Sequence, residues 1–369
     1  MKRLSILKLG VPVLAAALVL TTAGCSSPSA APSANGQSKV KIGFVVHALG
    51  DPFIQQIIDG AKAAAKDNDV DLQVTGPTGG DANAQLQSIQ NLVASGAQGI
   101  ATTVPGQSMA TGLNQIISDG VPVVQFNLLV SSVHAPYVGE RATEAGRILA
   151  KSVLTQIGGA KATGKVIVGN CFPGFPSLEE RAEGAISTLK SEAPDLTILG
   201  PFDVKVAANE NYAAWEALLA ANPDAKALMG LCAPDVTSLG KLQKANPQVK
   251  FVSGGFDLTS QNLAQLESGD AYVSLGQSAF TQGYLPVKML ADAIRNKTDL
   301  SKGGFIDAGT EIVTKESVEE PHGLPPMTFT QLQEISASSA KTRTYYQPLI
   351  DGFIKNWKKA LEPIGNESK

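Results

Sequence analysis

The sequence predicts an α/β protein of two Rossmann-like lobes, each a parallel sheet with helices on both faces. Two observations lead there. From Lys39 onward, short β-branched runs alternate with longer amphipathic stretches, the pattern of strand-helix-strand units. The alternation then runs through a second time, giving two similar halves of about 130 residues each. Polar residues gather at the strand ends, where open α/β sheets bind their ligands.

In order, Val40 to Val46 reads as a strand. Asp51-Pro52 then opens a helix on which Phe53, Ile54, Ile57, Ile58 and Ala61 recur at helical spacing. Leu72 to Thr75 is the second strand, Asp81 to Ser95 the second helix and Gly99 to Val104 the third strand. A helix from about Gln107 to Ser118 and a strand from Val121 to Asn127 close the first series. The second series alternates helices Thr143 to Ile157, Ser177 to Ser191, Tyr212 to Ala221 and Val236 to Ala245 with strands Lys165 to Gly169, Leu196 to Leu199, Ala227 to Leu231 and Lys250 to Ser253. A short helix near Leu263, strand Ala271 to Gly276 and helix Tyr284 to Arg295 complete it. Ile306 to Thr314 reads as one more strand. Glu319 to Pro326 is proline-rich, and Tyr345 to Leu361 reads as a final amphipathic helix packed on one lobe.

The first 25 residues read as an export address. Lys2, Arg3 and Lys8 precede an apolar run from Leu9 to Leu20, too short for an ordinary membrane span, and small residues lead to Cys25. Thr22-Ala23-Gly24-Cys25 resembles the bacterial lipobox, which implies cleavage after residue 24 and a lipid on Cys25. Thr22 departs from the usual Leu. Residues 25–38, rich in Ser, Ala, Pro and Gly, read as a flexible tether.

A formal net charge of −3 with no basic run disfavours a nucleic-acid partner. His47, His134 and His322 lie far apart, without metal-ligand spacing. No G-x-S-x-G elbow occurs. Gly159 to Lys165 begins like a phosphate loop, but Val166 replaces the required Ser or Thr and a strand follows where a helix should. The chain therefore reads as a binding protein, not an enzyme, with no cofactor and no metal.

The candidate site residues stand at strand ends. Asp51 offers a carboxylate to hydroxyls or merely caps its helix, Phe53 offers an aromatic face, and Asn127 supplies a donor and an acceptor. In the second half, Arg181 follows a strand end, Gly255-Phe256-Asp257 ends a strand and Gln277 follows another. Such groups converging on a cleft suit a neutral polyhydroxylated ligand. His47 reads either as a cleft residue or as a surface histidine.

These residues resemble, in order and spacing, the type I periplasmic binding proteins of the ribose-binding-like group, which serve ABC importers. The resemblance runs from about Lys39 to Thr314. It is carried by Asp51-Pro52-Phe53, Asp59-Gly60-Ala61, Gly120 to Val124, Glu180 to Gly184, Gly255-Phe256-Asp257 and Gln277. It implies ligand contacts from Asp51, Phe53, Asn127, Arg181, Asp257 and Gln277. It also implies three crossings near Gly139, Gln277 and Gly309 that make a hinge. The lobes would then comprise residues 39–139 with 278–309, and 140–277 with 310–320, leaving 321–369 as an extension. The implied partners are a sugar or polyol, a permease with its ATPase, and the outer face of the cytoplasmic membrane through Cys25, with the protein a monomer.

Two departures bear on the ligand. Asn127-Leu128 stands where sugar binders of this group often carry Asp-Arg, and Ala233-Pro234-Asp235 where they often carry Asn-Asp. The second variant is similar to relatives that bind furanosyl autoinducers or deoxy-sugars. Pro234 and Asp235 join the candidate contacts, and delivery of an autoinducer-like ligand to a sensor stands as the alternative function. In the sheet order expected for such lobes, the strands ending at Cys171 and Cys232 are neighbours. A disulfide and two buried thiols are the alternatives there.

Overall fold

The structure, a computed structural model, describes residues 39–320 and 322–365. The signal, lipobox Cys25 and tether readings fall on residues 1–38, outside the described residues. Among the described residues no helix is long and apolar enough to cross a membrane.

Strand β1 (Val40–Val45) leads to α1 (Pro52–Asp67), and the Asp51 carboxylate accepts from the Phe53 and Ile54 N–H groups at 2.8 and 3.1 Å. That cap, followed by proline at the first turn, starts the helix for reasons local to the sequence. The series continues with β2 (Val70–Thr75), α2 (Ala82–Ala94), β3 (Gly99–Thr102), α3 (Ala110–Ser118), β4 (Val123–Phe126) and β5 (Tyr137–Gly139). The chain then builds α4 (Ala142–Ile157), β6 (Gly164–Asn170), α5 (Pro176–Glu192), β7 (Leu196–Asp203), α6 (Ala208–Ala221) and β8 (Ala225–Gly230). Next come α7 (Ala233–Ala245), β9 (Val252–Phe256), α8 (Ser260–Ser268), β10 (Val273–Gly276), α9 (Ala279–Asn296), β11 (Phe305–Asp307), β12 (Glu311–Val313) and β13 (Val318–Glu319).

Two sheets result. One runs β11-β5-β4-β3-β1-β2, parallel throughout; the other runs β13-β12-β10-β9-β8-β6-β7, with β12 and β13 antiparallel at its edge. Central strands such as β3 and β4 are buried along their whole length, as expected for sheets covered on both faces. The strand order reverses at β1 in the first sheet and at β6 in the second. The loops after these two strands are thus the topological switch points, where α/β sheets bind ligands. The chain passes between the sheets three times: after Gly139, after Gly276 and between Asp307 and Glu311.

A close helix pair underlies each lobe. In the second, α4 crosses α5 where a Cβ on Gly146 would stand 2.1 Å from the Arg181 carbonyl oxygen, and one on Gly184 1.9 Å from that of Thr143. Only glycine permits that approach. Gly60 and Gly283 make the matching contact between α1 and α9 in the first lobe.

Several elements differ from the sequence expectations. The single strand expected at Ile306 to Thr314 is two, β11 and β12, in different sheets. Gly309 between them takes a φ of +86°, and its N–H is held by the Asp307 carboxylate at 2.8 Å. Strand β5 was not anticipated; three residues are too few for periodicity to register. The final helix expected at Tyr345 to Leu361 is instead α11 (Ser339–Tyr345), α12 (Gln347–Asp351) and a 3-10 turn (Ile354–Lys359), preceded by α10 (Phe329–Ser336). Pro348 and Gly352 interrupt it.

This tail grips both lobes. Leu332, with Met327 and Phe329, packs on Val236, Leu258, Leu263 and Leu266 of the second lobe. Tyr346, Leu349, Ile354 and Trp357 join the core around Ile57, Phe280 and Leu290 of the first. Polar contacts repeat the pattern: Gln333 donates to Glu267 at 2.9 Å, while Arg343 pairs with Asp67 at 2.5 Å and the Trp357 indole donates to Asp292 at 3.0 Å. Tail packing was expected on one lobe; Leu332 engages the second lobe, and Leu324 before it and Tyr346 after it engage the first.

Candidate functional site

The two switch-point loops face one cavity of about 450 Å³ between the sheets. The loop after β1 contributes His47, Leu49 and Asp51; the loop after β6 contributes Cys171, Phe172 and Phe175. Phe53, Asn127, Arg181, Pro234, Asp257 and Gln277 line it as well. The structure thus brings together eight of the nine candidate contact residues singled out from the sequence.

At the polar end a hydrogen-bonded relay runs from one lobe to the other. Asn127 after β4 donates to Gln277 at 3.2 Å, and Gln277 after β10 donates to Asp257 at 2.6 Å. The backbone holds this end in unusual conformations: φ is +61° at Asn127, +73° at Asp257 and +47° at Ser278. Non-glycine residues there carry a cost of about 1–3 kcal/mol each, and such strain concentrates at functional sites. Side-chain and main-chain bonds hold them. The Tyr137 hydroxyl donates to the Asn127 carbonyl at 3.0 Å, and Asn262 Nδ2 and Ser274 Oγ donate to the Asp257 carbonyl, each at 2.9 Å. Burial pushes the Asp257 carboxyl up to about 7, against the pull of Arg181 and the Gln277 hydrogen bond.

Arg181, on α5, is buried. Its Nε donates to Glu140 Oε1 at 2.5 Å, Nη2 pairs with the same oxygen, Nη1 donates to the Leu231 carbonyl at 2.8 Å, and the guanidinium lies 3.8 Å from the Phe256 ring centre. Burial raises the Glu140 carboxyl, and Arg181 partly offsets that. Sequence reasoning missed Glu140; a carboxylate between Gly139 and Arg141 carries no local signal of a partner 41 residues away. With Glu140 neutralising Arg181, the polar end holds no unbalanced cation, which disfavours anionic ligands.

Asp51 caps α1 and also lines the cavity. His47 lines the cavity rather than the outer surface; its Nδ1 is buried without a partner, and burial lowers the ring to about 4, so it stays neutral at ordinary pH.

Asp235 is corrected. It is fully buried and not part of the cavity wall: Oδ1 accepts from Asn211 at 2.7 Å and Trp215 at 2.8 Å, and Oδ2 from the Cys232 N–H at 2.9 Å. As the third helical residue of α7 it closes a capping box and ties α6 to the start of α7. Pro234 is the part of that segment that reaches the cavity.

Cys171 and Cys232 are joined by a disulfide between the ends of the paired strands β6 and β8. The bond closes a loop of 61 residues. Replacing both cysteines by serine should lower the unfolding free energy by about 2–4 kcal/mol in urea melts under oxidising conditions. Coincident curves for wild type and double variant would remove the bond's structural role.

Comparison with known proteins follows from this geometry. The sequence profile described as "Periplasmic binding protein domain" matches residues 42–298, more than half of the chain. A xylose/arabinose-binding protein of Sulfolobus acidocaldarius is 22% identical over 303 residues, covering 76% of this chain and 72% of that protein. Among solved structures, an ABC transporter solute-binding protein from Burkholderia graminis in complex with D-arabinose superposes with a TM-score of 0.68 at 22% identity, over 75% of this chain and 95% of that one. One from Agrobacterium vitis with bound D-fucose gives 0.67 at 22%, over 74% and 95%. At this identity the superpositions establish the shared two-lobed fold.

Proposed function

This chain belongs to the periplasmic binding protein domain family, and on that premise we propose that it is the extracytoplasmic substrate-binding component of an ABC importer for a neutral sugar or polyol. The family is one of binding proteins rather than enzymes. The single observation that carries the ligand class is the Asn127–Gln277–Asp257 relay. It sets amide and carboxyl groups from both lobes around one cavity, and each hydroxyl of a sugar both donates and accepts. Asp51 and Arg181 supply further polar contacts, and Phe53 an apolar face for ring C–H groups. The relatives include binders of xylose or arabinose, of D-arabinose and of D-fucose, and also of ribose or allose and of glucose or galactose, which supports a monosaccharide without choosing among them. Closure would turn on the segments near Gly139, Gln277 and Gly309, present a closed form to the permease, and act at the membrane face to which a lipid on Cys25 holds the protein.

Thermal melting against pentoses, hexoses, deoxy-sugars and polyols tests the reading. A ligand present at about a hundred times its Kd adds about 2.7 kcal/mol to stability, so one class of sugar should raise Tm by several degrees. A panel in which no sugar or polyol raises Tm would remove the carbohydrate assignment.

A further inference from the structure

The cavity has a second, apolar end that a plain sugar leaves unused. Among the described residues four large apolar side chains are exposed: Leu49, Phe172, Phe202 and Val206. Three of them line this one cavity, with exposures of 40% for Leu49, 37% for Phe172 and 53% for Val206. Apolar surface concentrated at one spot marks a binding surface more often than chance exposure does. Phe172 and Phe175 pack with ring centres 4.0 Å apart and planes tilted by 36°, and His47 of the facing lobe meets Phe175 edge-on at 6.0 Å.

The wall is held in place. Its loop is pinned at one end by the Cys171–Cys232 bond. Within it the Phe172 N–H donates to Asn170 Oδ1 at 3.0 Å and the Gly174 N–H to Glu179 Oε1 at 2.8 Å, while Asn170 Nδ2 donates to the same Glu179 oxygen at 3.1 Å. Opposite stands Gly80, where a Cβ would come within 3.2 Å of both phenyl rings. A loop staked at both ends carries two phenylalanines packed directly on a bare glycine backbone, and its exposed ring, Phe172, lines an apolar slot of the cavity together with Leu49 and Val206.

We infer that the natural ligand is a glycoside or comparably substituted polyol: a hydroxylated head seated at Asn127, Asp257 and Gln277, and an apolar substituent lying against Leu49, Phe172 and Val206. The inference rests on the carbohydrate reading and goes beyond it by assigning the other half of the cavity.

The test is isothermal titration of the purified full chain with D-xylose, D-arabinose, D-galactose and D-fucose, and with the phenyl glycoside of each. At least one phenyl glycoside should bind about tenfold more tightly than its free sugar, the gain from burying ~55 Å² of apolar surface. In the variant Phe172→Ala, with melting temperature checked, that ratio should collapse toward one. Phenyl glycosides that bind no better than free sugars would overturn the slot while leaving the carbohydrate reading intact. An advantage that survives in both Phe172→Ala and Phe175→Ala would overturn the assignment of the slot to these rings. Binding of neither class overturns the inference through its premise.

Discussion

Replacing Glu140 by alanine is expected to lower the unfolding free energy by about 3–5 kcal/mol, the cost of leaving a buried charge without its partner. Among the described residues Arg181 has no other carboxylate bonded to it; its remaining partners are the Leu231 carbonyl and the face of Phe256. The pair is also placed by packing, because the glycine contact of α4 with α5 sets Arg181 near the start of α4, two residues beyond Glu140. Removing both charges should be far milder than removing one, since an apolar pair of similar volume replaces a buried ion pair at little loss. The double variant Glu140→Leu with Arg181→Met should therefore recover most of the stability lost by Glu140→Ala, and denaturant titration of the three proteins measures this. If Glu140→Ala loses less than about 1 kcal/mol, the range of solvent-exposed pairs, water reaches the pair and its burial is an incorrect premise.

The second large effect concerns ligand binding. Asp257→Ala should weaken binding by about a hundredfold or more, the equivalent of one or two charge-assisted hydrogen bonds, without unfolding the protein. Its carboxyl also sets a pH dependence. The unfolded chain releases this proton near 3.8 and the folded chain near 7. The folded state thus binds more protons between those values, and stability falls as pH rises across that window. The contribution is fully present below about 4 and gone above about 7. A ligand whose hydroxyls donate to the ionised carboxylate pulls its pKa down. Affinity should then rise as pH climbs through about 7, with a proton released on binding, while Asp257→Asn shows neither effect. Titration calorimetry in buffers of different ionisation enthalpy reads the proton directly. A binding enthalpy independent of buffer, with flat affinity across the same range, would rule out Asp257 as the acceptor.

What was legible in the sequence was what is local or repeated. Asp51-Pro52 announces a helix because the cap and the first turn are adjacent residues, and β-branched runs announce buried strands because both faces are covered. The cavity residues Asn127, Asp257 and Gln277 could be found because strand ends can be found, and strand ends converge in this architecture. The positive φ at Asn127 and Asp257 left no trace, since neither is a glycine. Glu140 was invisible for the opposite reason: its role comes from a tertiary contact with no spacing rule. Asp235 misled because a polar residue just past a strand end looks alike whether it turns toward the cleft or back under α6, and the donors that turn it, Asn211 and Trp215, lie more than a helical turn away in the chain. Phe172 and Phe175, in a stretch broken by Pro173 and Gly174, have no period to reveal them.

One consequence follows from the way residues 322–365 lie across the molecule. Leu324 and Tyr346 are sunk in one half and Leu332, between them in the chain, in the other, so the tail crosses the flank twice like a stitch. Parting the halves there pulls on both spans at once, and the plug with the least company, Leu332, is the one that must leave its apolar seat for the flank to gape.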